Sequence, residues 1–152
     1  MMLTTKEMTD DLAKANPYMK MVVNILRAGK ILDHKVSEAL KEFGITHIQF
    51  NILRILEAGK PGKLSLGEIK EGLLFPTSDV SRLLDRLVKR DLVERTICFE
   101  NRRKLEVSIT EEGLEVIRQS LAKIEKKLDG YYKDAVSENE RDQIIDIMKR
   151  IS

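Results

Sequence analysis

The stretch that decides the fold is residues 75–110, FPTSDVSRLLDRLVKRDLVERTICFENRRKLEVSIT. Its first part places Val80, Leu83, Leu84, Leu87 and Val88 on one side of a helix. Thr77, Ser78, Ser81, Arg82 and Asp85 fall on the other side. Leu92 to Phe99 then reads as a strand. Its partner is Leu105 to Ile109, where Leu105, Val107 and Ile109 alternate with Glu106 and Ser108. The connection between the strands carries Arg102, Arg103 and Lys104 in a row. A polar-faced helix followed by a hairpin with a basic tip suits a DNA duplex. One element can enter a major groove while the other lies along the neighbouring minor groove. The expectation is binding without chemistry.

The flanking sequence supplies the rest of the frame. Ser65 and Glu68 form a capping box for a short helix through Glu71, which Gly72 stops. Thr77 or Ser78 is expected to cap the next helix, which runs to about Arg90. The pair makes a helix-turn-helix whose turn spans Gly72 to Pro76. Upstream, Thr46 and Gln49 form another box. The helix they open carries Ile48, Phe50, Ile52, Leu53, Ile55 and Leu56 around much of its circumference, which predicts a central position, and Gly59 ends it. Asn16 as cap and Pro17 at the first helical position begin a long helix. Val22, Ile25, Leu26, Leu32, Val36, Leu40 and Phe43 recur along it until Gly44.

Downstream, Thr110 opens a helix striped by Leu114, Ile117, Leu121, Ile124 and Leu128, and Gly130 is a candidate interruption or bend. Ser137 and Glu140 cap a last helix with Ile144, Ile145, Met148 and Ile151. Residues 1–15 read as a loose or partly helical arm. The expected class is mainly α (α+β): a winged helix-turn-helix with long N- and C-terminal helices forming a dimerisation base. Its parts are an arm and helix over 1–44, a DNA-binding region over 45–110, and dimerisation helices over 111–152. The apolar stripes of the long helices exceed what the small core can cover. A second copy of the chain is the expected partner, and its two-fold symmetry matches a palindromic duplex.

Composition narrows the class. The 152 residues are 42% apolar with a net charge of +2, too small a charge to argue for nucleic acid by itself. Its distribution is more useful: residues 60–110 carry 11 basic against 8 acidic groups, and residues 111–152 carry 8 against 10. No run of about 18 apolar residues offers a membrane span. The opening MMLTTKEMTDD lacks the apolar centre of a secretory signal, so the expected compartment is the cytoplasm. A single cysteine, Cys98, excludes an internal disulfide and reads as a small strand residue. His34 and His47 stand thirteen positions apart without a Cys/His cluster, so no metal is expected. No glycine-rich phosphate loop or nucleophile–His–acid arrangement points to an enzyme or a cofactor.

Four segments in order, GITHIQFNILRIL, SLGEIKEGL, TSDVSRLLDRLVKRDLVER and NRRKLEVSITEEG, resemble a MarR-type winged-helix transcriptional regulator from about Ile45 to Gly113. Leu66 and Ile69 occupy the apolar places of the helix before the recognition helix, and Thr77 to Arg90 corresponds to the recognition helix. Leu92, Val93, Glu94 and Arg95 match the approach to the wing, and Leu105 to Thr110 with Gly113 match the way out. Asn101, Arg102 and Arg103 stand where the family commonly has Asp, any residue, Arg. The resemblance therefore assigns Arg103 to the wing arginine on DNA, with Asn101 replacing the acid that often pairs with it. Asp91 stands where glycine is usual, in a turn that calls for a left-handed backbone. Aspartate tolerates this better than most non-glycine residues.

The candidate DNA contacts follow. Ser78, Ser81 and Arg82 are candidates for base edges or phosphates. Pro76 and Thr77 offer shape and backbone contacts. Arg86 is a candidate for a phosphate, or for pairing with Asp85 or Asp79. Arg102, Arg103 and Lys104 form the wing, and Lys60, Lys63 and Lys70 are further phosphate candidates. The resemblance also implies a small, commonly aromatic or phenolic effector held between the helical base and the DNA-reading region. Candidates there are Tyr18, Met21, His34, Phe43, His47 and Phe50, with an ordinary surface histidine as the alternative for His47. The implied function is a homodimeric, sequence-specific double-stranded DNA-binding regulator, a repressor responsive to a small molecule. The alternative is a winged-helix protein-interaction module with weak, nonspecific DNA binding.

Overall fold

In the computed structural model, residues 16–74, 77–97 and 105–151 are described. The expected arm over 1–15, Pro76, Cys98, and the wing residues Asn101, Arg102, Arg103 and Lys104 lie outside the described residues. Helix α1 spans Pro17–Leu40 and passes into a single 3-10 turn, Lys41–Phe43. Helix α2 is His47–Ala58, strand β1 is Leu64–Ser65, and helix α3 is Leu66–Gly72. Helix α4 is Val80–Val88, followed by strands β2, Val93–Ile97, and β3, Leu105–Ile109. Helices α5, Glu111–Tyr132, and α6, Glu138–Ile151, complete the chain.

The helix starts follow local capping chemistry. Asn16 Oδ1 accepts from the Tyr18 amide at 2.9 Å. Thr46 with Gln49 and Ser65 with Glu68 form complete capping boxes. Thr110 Oγ1 accepts from the Gly113 amide at 3.0 Å, and Ser137 exchanges bonds with Glu140. Each satisfies amides that the first helical turn leaves without partners. Gly44 turns the chain out of the 3-10 segment with φ 62°, the left-handed region that glycine enters without cost. Gly130 neither interrupts nor ends α5, which continues to Tyr132.

The sheet order is β1-β3-β2, both pairings antiparallel. β1 was not foreseen: two residues are too few to show alternation, and its pairing of Leu64 with Val107 is set by the distant β3. The core lies between α2, the sheet and the inner faces of α3, α4 and α5. Leu40, Ile52, Leu53, Leu56, Ile69, Leu84, Leu87, Leu92 and Ile117 are its largest fully buried side chains. The predicted central helix α2 buries Gln49, Phe50, Ile52, Leu53 and Leu56.

The junction of sheet and base is tightly fitted. Asp91 has φ 57°, so the left-handed turn expected at this position is present. The Thr110 hydroxyl donates to the Asp91 carbonyl at 2.6 Å. A Cβ on Gly113 would sit 2.1 Å from the Leu92 carbonyl oxygen, so the start of α5 presses against the start of β2 with no room for a side chain. Two ion pairs then hold α5 on the end of α1: Lys127 with Glu38 at 2.8 Å, and Lys123 with Glu42 at 3.0 Å. The hydrogen bond and charge of Lys127 hold the Glu38 carboxyl below the ordinary carboxylate range.

Candidate nucleic-acid interface

Helix α4 divides sharply into two sides. Val80, Leu84 and Leu87 are buried, and Ser81, Arg82, Asp85 and Arg86 face solvent together with Ser78 just before the helix. Val88, expected on the apolar side, is 37% exposed, because it stands at the last turn where the core ends.

The expected cap is corrected. Neither Thr77 nor Ser78 is the N-cap; Asp79 is, and its side chain makes no capping bond. The Thr77 hydroxyl accepts from the Asp79 amide at 3.3 Å, which closes a tight turn ahead of the helix instead of capping it. Helices α1, α2, α3 and α5 each carry a side-chain cap. Among the described residues, the first-turn amides of helix α4 thus have no side-chain cap. Its N-terminus, positive by the helix dipole, sits beside the exposed Ser78, Ser81 and Arg82.

Asp85 is not paired with Arg86. Neighbours in a helix do not face each other, and Asp85 instead meets Arg95 from β2 at 2.6 Å. The other arm of Arg95 donates to the Ser81 carbonyl at 3.1 Å. This fork clips the sheet to α4 and neutralises the carboxylate on the outward side of the helix. Among the described residues, Arg82 and Arg86 have no acidic partner, so their charge is available to an anion. Of the three lysines considered for phosphates, Lys60 lies 3.4 Å from Glu111, and Lys63 donates to Thr96 Oγ1 at 3.0 Å. Lys70 lies in the last turn of α3.

Two arginines that join elements of the fold escaped the sequence reading. Arg95 was noted only as part of the approach to the wing; its partner Asp85 lies ten positions away on a different element. Arg90, at the exit of α4, donates to the carbonyls of Phe43 and Gly44, each at 2.7 Å. No local spacing signals a contact across 46 and 47 positions.

The effector candidates are spread out. Tyr18 and Met21 are exposed near the start of α1, Tyr18 at 70%. His34 lies farther along that helix, 3.7 Å from Glu38, in a shallow groove of about 270 Å³ with Lys30, Ile31 and Lys35. Phe43 lines a separate open groove of about 720 Å³ against α5, with Glu42, Ala122 and Lys126 among its walls. Phe50 is in the core. His47 Nδ1 sits 2.6 Å from Asp33 Oδ1 and joins the start of α2 to α1. Among the described residues no three His, Cys, Asp or Glu side chains gather as a metal site. No described helix is long and apolar enough to cross a membrane.

The arrangement of α3, α4 and a β-hairpin between two long helices has known counterparts. Residues 43–104 match the MarR family. The matched segment is similar to the winged helix of MarR-family proteins. The transcriptional regulator PrsX of Escherichia coli is 34% identical over 94 residues, which make up 62% of this chain and 57% of that protein. The chain therefore spans little more than half the length of that relative. SarZ, a transcriptional regulator of Staphylococcus aureus, is 29% identical over 122 residues, 80% of this chain and 79% of SarZ. Among solved structures, the MarR-family regulator Sco3205 of Streptomyces coelicolor, determined with DNA, superposes with a TM-score of 0.76. It is 20% identical, over 99% of this chain and 88% of its own. The chain thus shares its fold with a regulator whose structure was determined with DNA.

Proposed function

We propose that this chain is a sequence-specific double-stranded DNA-binding transcriptional regulator that works as a homodimer in the cytoplasm. The carrying observation is helix α4. It is anchored on one side by Val80, Leu84 and Leu87, clipped by Arg95, and turned outward with Ser81, Arg82 and Arg86 beside an N-terminus without a side-chain cap. Such a helix presents amides and arginines to phosphates and short polar side chains to base edges. Arg102, Arg103 and Lys104 complete the contact as the wing in the adjacent minor groove, with Arg103 foremost. The names of PrsX and SarZ and the DNA bound to Sco3205 support the reading.

The dimer follows from apolar surface that the chain itself leaves open. Helix α6 buries no residue, and Ile144, Ile145, Ile147 and Ile151 are exposed along it. Met21, Val22, Leu26 and Ile31 are exposed along α1. A base built from residues 1–44 and 111–152 of two copies covers these faces and holds two reading regions, each spanning 45–110, on a palindrome. Regulation is repression relieved by a small aromatic or phenolic molecule bound near Phe43 and His47, which must bind the two dimer conformations with different affinity.

The test is selection of genomic fragments by the purified protein at near-physiological salt, followed by sequencing. A shared palindrome among the fragments is the expected result. Recovery without a motif would replace the regulator with a protein-interaction module.

A further inference from the structure

We infer that Arg90 sets the distance between half-sites that the dimer accepts, by fixing the recognition helix to the end of α1. The inference rests on the proposed DNA-binding function and adds a residue that touches neither base nor phosphate. Helix α4 has two guanidinium attachments with different directions. Arg95 joins it to β2, inside the reading region. Arg90 joins its exit to the Phe43 and Gly44 carbonyls, where the long helix α1 and its 3-10 turn end.

The Arg90 contact has the form of a joint. Terminal carbonyls of a helical segment lack partners, and a cation there also meets the negative end of the helix dipole. The planar guanidinium places one nitrogen on each carbonyl, Nη1 on Gly44 and Nη2 on Phe43, at 2.7 Å each. Two parallel bonds fix an orientation that one bond leaves free. Both ends of the joint carry a left-handed backbone turn: Gly44 at φ 62° is itself one of the acceptors, and Asp91 at φ 57° directly follows Arg90. At the same place α1 is held from the other side, through Lys123 to Glu42 and Lys127 to Glu38. The end of α1 is therefore the point where α5 and the recognition helix are both secured. In the proposed dimer α1 carries exposed apolar surface toward the second copy. The angle between α1 and α4 then sets how far apart the two α4 helices lie.

That geometry matters because DNA converts spacing into rotation. One added base pair moves a half-site by about 3.4 Å and turns it by roughly 35°. A rigid joint rejects such a shift; a loose one absorbs part of it. Base preference within a half-site depends on Ser81, Arg82 and the Arg95 clip, none of which Arg90 touches. Loss of Arg90 should therefore separate the two kinds of specificity.

The experiment compares the full-length wild type with Arg90→Gln and Arg90→Lys. Wild-type protein first selects its palindrome from a random library. All three proteins are then titrated on that palindrome and on versions with one base pair added or removed at the centre, and on every single-base change within one half-site. Thermal melting accompanies each. We expect the wild type to prefer its own spacing by roughly tenfold or more, the size of a single unfavourable step in such sites. Arg90→Gln should reduce that ratio to about threefold or less while the order of base preferences stays unchanged. Arg90→Lys, able to hold one carbonyl at a time, should fall between. An Arg90→Gln protein that melts normally and keeps the wild-type spacing ratio would overturn the inference alone. So would an equal loss of affinity on all three spacings, which is the mark of general destabilisation. A wild type that selects no motif would overturn the DNA-binding function, and the spacing role with it.

Discussion

The reading region and the helical ends of this chain spend their apolar residues in opposite ways. Between Ile45 and Thr110 a buried set forms the core: Ile52, Leu53, Ile69, Val80, Leu84 and Leu87 are at most 1% exposed, while Leu74, Ile97 and Leu105 stand open. At the ends, Leu26 is 68% exposed and Ile151 57%. Both regions have helical apolar periodicity, so the difference is not one of local propensity. The elements of the reading region pack on one another and on α1 and α5 of the same chain. The outer parts of α1 and α6 meet too little of it. A stripe of apolar residues shows that a partner face is needed; only the rest of the structure tells whether that face belongs to the same chain.

The sharpest way to break the reading region is at its tightest contact. Gly113→Ala places a Cβ against the Leu92 carbonyl. Separation of α5 from β2 should cost at least about 3 kcal/mol, seen as a lower midpoint in urea unfolding. The helical ends should respond differently. Leu26→Glu with Ile145→Glu leaves the reading region folded but puts carboxylates into the proposed base. Dimer dissociation should strengthen by at least roughly thirtyfold in sedimentation equilibrium. An unchanged mass distribution would show that these faces serve something other than a second copy.

Surface changes should move binding and leave folding alone. Arg82→Ala should reduce discrimination at one base position by about 1–3 kcal/mol if the side chain reads a base. Its stability should stay within about 0.5 kcal/mol of wild type. Arg103→Ala should instead weaken all sequences alike and lower the salt slope of binding by about one. The exposed Asp91 is the exception that acts on folding: Asp91→Gly should stabilise the chain by about 0.5–1 kcal/mol, because glycine relieves the left-handed turn at φ 57°.

The smallest expected effect is acid sensitivity of the joint between α1 and α5. Lys127 lowers the Glu38 pKa in the folded chain. A carboxylate with a depressed folded value contributes stability above its ordinary, unfolded value, and loses it as pH falls through the depressed one. Glu140 behaves likewise through its bonds to Ser137. Amide exchange at the end of α1 and the start of α6 should rise on acidification below the ordinary carboxylate range. Glu38→Gln should remove the first change and leave the second.

Much of the architecture was legible because helix capping is local chemistry. Asn16, Thr46 with Gln49, Ser65 with Glu68, Thr110, and Ser137 with Glu140 mark their helix starts as read from the sequence. Strand β3 also has the expected bounds. Where a residue had two options, the sequence misled. Thr77 is well suited to cap, but its hydroxyl is taken by the turn to Asp79. Asp85 has Arg86 beside it and Arg95 across from it, and the backbone geometry of the helix selects the second. In the candidate interface, the division of α4 into a buried and an exposed side was visible from spacing alone. The clips at Arg90 and Arg95 were not, because each depends on where the chain returns after a long excursion.

The short strand β1 also bears on the order in which the molecule can be made. Leu64 is paired with Val107, and the covering helix α5 begins only after that. A chain growing on the ribosome can form α1, α2 and the capped start of α3 while the central strand of its sheet is still unmade. Until Val107 emerges, the apolar surface of α2 has no sheet to close over it, since such distant pairings must await the later segment. The basic hairpin is thus tied to the completion of folding: the strand that leads away from its tip is the one that closes the core.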